Sequence, residues 1–233
     1  MIGIELLDDP CAEPAAVRAE LRDIARLNLL FGGVRAVVGA LEPFFAEATT
    51  ESRANDWTLL DVGTGLGDIP RAVARAARRF GITLRLVGVE RNRAAALAAR
   101  AQADPTLAPV LADGAALPLG PGSVDVVIAS QVLHHLPPAL AVRWIAGLNA
   151  VARRAVVIAD LRRSWIAIAG LWLASFPLGF GAVTRHDAVL SLRRGYRRHE
   201  LDSMLRAAGI EPVARYRPGF RVVAAWAPMA PQR

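Results

Sequence analysis

Short apolar runs alternate along the chain with stretches in which apolar residues recur every three or four positions, a pattern that predicts strands interleaved with helices. The strand candidates are residues 58–62 (TLLDV), 84–90 (LRLVGVE), 109–112 (PVLA), 124–129 (VDVVIA) and 155–160 (AVVIAD). Such runs suit a mostly parallel sheet covered on both faces. Between the first two, Ile69, Val73, Ala76, Ala77 and Phe80 fall at helical spacing, with Pro70 suited to a first turn and Gly81 to the stop. Another helix is marked by Leu140, Trp144, Leu148 and Val151 behind the pair Pro137 and Pro138. In the tail, a helix through Leu201, Leu205 and Ala208 stops at Gly209. The runs PVARY and FRVVAAW follow, separated by Arg217, Pro218 and Gly219, and predict a hairpin. The expected fold class is therefore α/β, a mostly parallel sheet with one reversed strand.

Two pieces flank this core. Residues 14–46 carry a helical period (Val17, Leu21, Ile24, then Val34, Val37, Val38, Leu41 and Phe45) interrupted at Gly32 and Gly33. They predict a helical preface or lid over residues 1–50, ahead of a main domain over 51–233. The second piece, 164–184, holds no charged residue and forms the start of a hydrophobic insertion at about 164–195.

Length and composition narrow the setting. With 233 residues, 54% of them hydrophobic, one well-buried unit is expected. The single cysteine, Cys11, has no intrachain partner, and no signal-like segment opens the sequence, so a reducing cytosol is the expected location. The formal charge is +7, and every basic residue is arginine. Arginine pairs such as Arg78 with Arg79 and Arg197 with Arg198 are read as a solvated exterior. No aromatic interleaving of the kind that stacks bases accompanies them, so nucleic acid is a disfavoured partner.

The chemistry concentrates in LLDVGTGLGDIP, residues 59–70. Glycines at 63, 65 and 67 let the chain turn sharply out of a strand and bring backbone N–H groups close to a ligand. A dinucleotide fingerprint needs a further glycine where this chain has Asp68, and a Walker loop needs a lysine that is absent. Asp61 and Asp68 on either side of the turn suit a ligand bearing positive charge instead. Glu90, ending the second strand, can accept both hydroxyls of a ribose. Asp113, followed by Gly114 after the third strand, can accept from an adenine amino group.

With these residues in place, the chain resembles the class I S-adenosylmethionine-dependent methyltransferases. LLDVGTGLGD is similar to their first motif, LVGVE to their ribose-binding strand end, and LADGAALPLGPGSVDVVIASQVLHHL to their adenine-binding turn, fourth strand and the segment after it. The resemblance covers residues 57–160 closely and the terminal helix and hairpin more loosely. It implies a Rossmann-like seven-stranded sheet in the order 3-2-1-4-5-7-6, strand 7 antiparallel, with S-adenosyl-L-methionine as cofactor. By position it assigns the cofactor's amino-acid end to Asp61 and Gly63, its ribose to Glu90, its adenine to Asp113, and the vicinity of its methionine portion to Ser130 and Gln131. Thr64, Gly65, Gly67, Arg91 and Gly114 complete the implied cofactor-contact set.

On the acceptor side, methyl transfer to a hydroxyl is helped by a base, and histidine has a suitable pKa. His134 and His135 follow the fourth strand, where the resemblance sets them beside the cofactor. His186 precedes Asp187 in TRHDAVLSLRRGY, and His199 stands among arginines near a helix start. His134 and His186 are the catalytic candidates. No histidine or cysteine spacing fits a metal's ligand shell, so no metal is expected. The uncharged segment is read as a cap whose Trp165, Trp172, Phe176 and Phe180 wall an apolar acceptor pocket. Peripheral membrane contact through its tryptophans is the competing reading of that segment.

The expected activity is methylation, on oxygen or carbon, of a small apolar acceptor that is phenolic, polyketide or quinone-like. The alternatives are a nucleic-acid methyltransferase, although SQVL stands where amino-methylating members carry an NPP[YF]-type tetrad, and a cofactor-binding or membrane-associated module without turnover. The oligomeric state is left open.

Overall fold

The structure is a computed structural model that describes residues 5–9, 11–48, 55–102, 105–211 and 213–228. Seven strands form one sheet: β1 (Asp56–Val62), β2 (Thr83–Glu90), β3 (Leu107–Leu111), β4 (Val124–Ser130), β5 (Ala152–Leu161), β6 (Arg215–Arg217) and β7 (Arg221–Trp226). Their order is β3-β2-β1-β4-β5-β7-β6. All neighbours are parallel except β7, which runs antiparallel to both β5 and β6. The apolar runs predicted every strand. β1 lies between β2 and β4, so that Asp61 pairs with Gly88 on one side and Ile128 on the other.

Alternate residues of the central strands feed two cores. Leu59, Leu86, Ile128 and Val157 pack on α2 (Gly33–Ala48) through Val37, Leu41 and Phe45, and on α3 (Asp68–Ala77) through Val73 and Ala77. Leu60, Val127 and Ile158 face the opposite way. They meet Ile145 and Leu148 of α5 (Pro138–Val151) and Leu201 and Leu205 of α8 (Arg198–Ala207). Every residue of β4 is buried, Asp125 and Ser130 included, as expected of a largely apolar strand covered on both sides.

Two details differ from the sequence reading. α4 (Arg93–Arg100) was not anticipated, because its run RAAALAAR offers alanines in place of large apolar markers; the Asn92 side chain caps it by accepting from the N–H groups of Ala94 and Ala95. The hairpin is shorter than PVARY suggested. β6 is confined to Arg215–Arg217, and Pro212 lies outside the described residues. The boundary expected at residue 50 also falls outside them.

The preface consists of α1 (Pro14–Leu30) and α2, joined at Phe31 and Gly32. α2 covers the sheet, whereas Val17 and Leu21 of α1 pack on Leu66 and on Ala95 and Ala98 of α4, over the carboxyl ends of the strands. The uncharged segment becomes α6 (Trp165–Ser175), a turn, and α7 (Ala182–Arg194). Among the described residues no single helix is long and apolar enough to cross a membrane.

Candidate active site

β1 ends at Val62 and the chain enters the glycine turn. Gly63 and Gly65 have φ of +77° and +52°. A side chain at Gly63 would strike Val132, so this backbone has to be bare as well as left-handed. The N–H of Gly65 donates to Glu90 Oε2 at 3.2 Å, and the N–H of Asn92 donates to Oε1 at the same distance. Glu90 is thereby fixed at the end of β2. Gly67, φ +74°, precedes α3 and packs toward Leu107 and Arg71; it shapes the turn without lining the cavity.

The turn opens on a cavity of about 480 Å³. Of the expected cofactor-contact set, Asp61, Gly63, Thr64, Gly65, Glu90, Arg91, Asp113, Gly114, Ser130 and Gln131 all line it. Asp61 is 3% exposed, and burial, reinforced by the charges of Asp68 and Glu90, pushes its pKa up to about 7. Burial likewise raises Glu90 and Asp68 above the ordinary carboxylate range. Asp113 sits at the rim, where its Oδ1 accepts from the N–H of Ala115 at 2.9 Å. Ser130 Oγ is buried without a partner. Gln131 holds a left-handed backbone, φ +59°, and its Nε2 donates to Asn28 Oδ1 at 2.6 Å.

The same cavity continues over β4 and β5 toward α6 and α7. There His134, whose side chain is 2% exposed, points Nδ1 at Asp160 Oδ1, 2.7 Å away. Asp160, at the end of β5, is fully buried and also accepts from the N–H groups of His134 and Leu161. Burial opposes its ionisation, but the adjoining imidazole and the N–H donors outweigh burial and lower its pKa. An ionised Asp160 can only accept, so Nδ1 is the donor. Nε2 is buried without a hydrogen-bond partner, 3.9 Å from Glu5 Oε1.

His135 lies beside it, ring centroids 4.2 Å apart, with Nδ1 3.0 Å from Asp8 Oδ1. Burial disfavours its charged form, yet Asp8 and Glu5 prevail and raise its pKa. Glu5, His134 and His135 each offer a potential ligand atom within 4.8 Å of the others, a grouping no sequence spacing could display. The Glu5 carboxylate is already engaged, accepting from Arg194 Nη1 at 2.9 Å and Ser191 Oγ at 2.8 Å. Glu20, on α1, faces Asp187 of α7; burial first, then the charges of Asp187, Glu5 and Asp23, push its pKa up to about 8.

The remaining acceptor-side candidates are not brought into the cavity. The His186 side chain is 66% exposed, and its Nδ1 lies 2.9 Å from Oδ1 of Asp187, a residue that lines the cavity. Trp165, Trp172 and Phe176 are 78%, 49% and 51% exposed. The cavity is walled instead by Ile166, Ala167, Gly170 and Leu171, the opposite face of α6. The helix is apolar all the way round, so its composition does not say which face turns inward. Phe180 is buried beneath Arg26, outside the cavity lining. The residues missed by sequence reasoning are Asp160, Glu5, Glu20, Asn28 and Arg221. Only Asp160, an acid closing a buried apolar strand, carried a signal of its own.

Residues 59–155 match a family model described as a methyltransferase domain. A protein of Mycobacterium sp. (strain JLS), named an uncharacterized methyltransferase, is 35% identical over 121 residues, 52% of this chain. The match spans 44% of that relative's length. Magnesium protoporphyrin IX methyltransferase from Synechocystis PCC 6803, solved with bound SAH, is similar with a TM-score of 0.53 and 17% identity over 84% of this chain and 81% of that one. Human N-acetylserotonin methyltransferase in complex with SAM reaches a TM-score of 0.62 at 10% identity, over 91% of this chain and 56% of that one. At such identities the likeness of the two structures is one of fold.

Proposed function

We propose that the chain, which carries a methyltransferase domain and the seven-stranded sheet, is a class I S-adenosylmethionine-dependent methyltransferase that methylates a hydroxyl of a small apolar acceptor, with His134 as the base. The residues present fit the cofactor. A bare left-handed turn, a fixed carboxylate at the end of β2, and an unpartnered Ser130 hydroxyl surround one cavity. Asp61, Gly63, Thr64, Gly65, Glu90, Arg91, Asp113, Gly114, Ser130 and Gln131 would hold it, with Gly67 setting the turn. When bound, S-adenosylmethionine supplies a methyl group made electrophilic by its sulfonium.

The observation that carries the reading is the pair His134–Asp160, with His134 lining the cavity that opens onto the glycine turn. Asp160 holds the Nδ1 proton, so the Nε2 lone pair is free to take a proton from an acceptor hydroxyl. Leu161, Ala167, Leu171 and Leu192 offer the acceptor apolar walls and exclude water. Such walls favour phenolic, polyketide or quinone-like molecules. The base favours oxygen over carbon.

A specific observation also supports peripheral membrane contact. α6 presents Trp165, Trp172 and Leu173 to solvent, as does Phe176 just past its end, while Ala167, Gly170 and Leu171 line the cavity, so an apolar acceptor would pass from a lipid surface across one helix.

The test is methyl transfer from labelled cofactor to a panel of phenols and reduced quinones. His134→Ala should lower turnover roughly 10² to 10⁴-fold with cofactor affinity unchanged. Asp160→Asn should act in the same direction, because an amide no longer dictates which ring nitrogen carries the proton. Parent-like turnover by His134→Ala between about pH 6 and pH 9 would remove the histidine from the reaction.

A further inference from the structure

Arg221 has no role in the chemistry above, and its surroundings do not explain it. It opens β7 opposite Leu161, is 3% exposed, and lines the cavity. Nε and Nη1 have no hydrogen-bond partner, and Nη2 reaches only Asn28 Oδ1, at a long 3.5 Å. Burial pushes its pKa down to about 10, which still leaves it cationic at neutral pH. Among the described residues no carboxylate forms an ion pair with it; Asp160 and Asp68 act from farther away. A buried charge left with unpaired donors is strongly unfavourable unless a ligand completes it.

The neighbours indicate which ligand. Asn28, buried on α1, is an amide with an acid on one side and the cation on the other. Its Nδ2 donates to Asp68 Oδ2 at 3.1 Å, and its Oδ1 accepts from Gln131 Nε2 at 2.6 Å and faces Arg221 Nη2. Asp68 begins α3 directly after the glycine turn. Gln131 keeps its unfavourable left-handed backbone at the end of β4, where its amide secures Asn28. A carboxylate and a guanidinium with two unpartnered nitrogens, spaced by one amide, complement a group that carries an ammonium and a carboxylate on the same carbon.

We propose that Arg221 is the carboxylate anchor of this cavity and that, with Asn28 and Asp68, it reads the amino-acid end of the cofactor. The inference rests on the cofactor reading of the cavity but not on the identity of the acceptor. An acceptor bearing a carboxylate would offer the same chemistry, and the experiment separates the two sources.

Calorimetry on the full chain with S-adenosylmethionine, decarboxylated S-adenosylmethionine and 5′-methylthioadenosine supplies the test. The parent should bind the decarboxylated cofactor roughly ten- to a hundredfold more weakly than the intact one, the loss expected for a charge-assisted hydrogen bond. Arg221→Gln should erase that difference while leaving affinity for 5′-methylthioadenosine unchanged, and Arg221→Lys should restore part of it. A parent that binds both cofactors equally overturns the proposal without any variant. So does an Arg221→Gln protein that keeps the full discrimination. An Arg221→Gln protein with intact discrimination and a raised KM for a carboxylate-bearing acceptor would give the arginine to the acceptor and sink the cofactor assignment. Failure of the parent to bind either 5′-methylthioadenosine or S-adenosylmethionine would instead remove the cofactor reading, and the proposal with it.

Discussion

Asp61 and Glu20 show how single carboxylates at this site turn burial into pH dependence. Burial, with Asp68 and Glu90 nearby, raises Asp61 to about 7, and burial next to Asp187 raises Glu20 to about 8. In each case the folded protein keeps a proton that the unfolded chain has already released. The stability contributed is complete below the unfolded pKa near 4 and is lost as pH rises through the folded value. The ligand-free protein should therefore melt lower at about pH 8 than at about pH 5, and Asp61→Asn with Glu20→Gln should flatten that slope. A cationic cofactor needs Asp61 ionised, so its affinity should rise through about pH 7 in the parent and not in Asp61→Asn. Thermal melts and calorimetry across that range check both expectations. A parent affinity independent of pH would separate Asp61 from the cofactor's charge.

α6 is the element with two faces to account for. Ile166, Ala167, Gly170 and Leu171 wall the cavity, and Trp165, Trp172, Leu173 and Phe176 stand in solvent. Trp57, Trp144 and Trp226 are buried, which makes α6 the source of any tryptophan signal that responds to a surface. With anionic vesicles the emission should shift to the blue. The double variant Trp165→Ser, Trp172→Ser should abolish the shift and the co-sedimentation, yet methylate a water-soluble acceptor at the parent rate. Leu171→Ser, on the inner face, should raise the acceptor's KM and leave vesicle binding alone. If the outer-face variant loses turnover on a soluble acceptor, α6 acts only as a lid. A helix that is apolar throughout serves either purpose, and separate variants of its two faces distinguish them.

At the scale of the whole molecule, the cavity joins residues from both ends of the chain: Glu5, Glu20 and Asn28 at one end, Gly219 and Arg221 at the other. The corner between α1 and α2 rests on the β6–β7 turn. Gly219 has φ +78°, and a side chain there would run into the carbonyl oxygen of Phe31. Gly219→Ala should cost about 1–3 kcal/mol of stability in urea unfolding, from the left-handed backbone and the displaced corner together. It should also weaken cofactor binding, because α1 carries Asn28. An alanine variant with parent stability would show that the corner yields without effect.

The sequence by itself determined the strands, their mostly parallel sheet with a hairpin at the end, and the glycine turn with Asp61, Glu90 and Asp113. These features are local: a buried apolar run, a residue that tolerates positive φ and an acid closing a strand each act through neighbours in the chain. The tertiary structure decided the rest. His134 and His135 are adjacent in sequence, and Asp160, 26 residues away, holds the Nδ1 of one of them. α6 carries no apolar period, so packing alone chose its inner face and left Trp165, Trp172 and Phe176 outside. Arg221 is one arginine among many in the sequence, and its meaning arises where β7 carries it beneath Asn28. Long-range packing sets which charges are buried and which polar atoms lack partners, and residue spacing does not encode it.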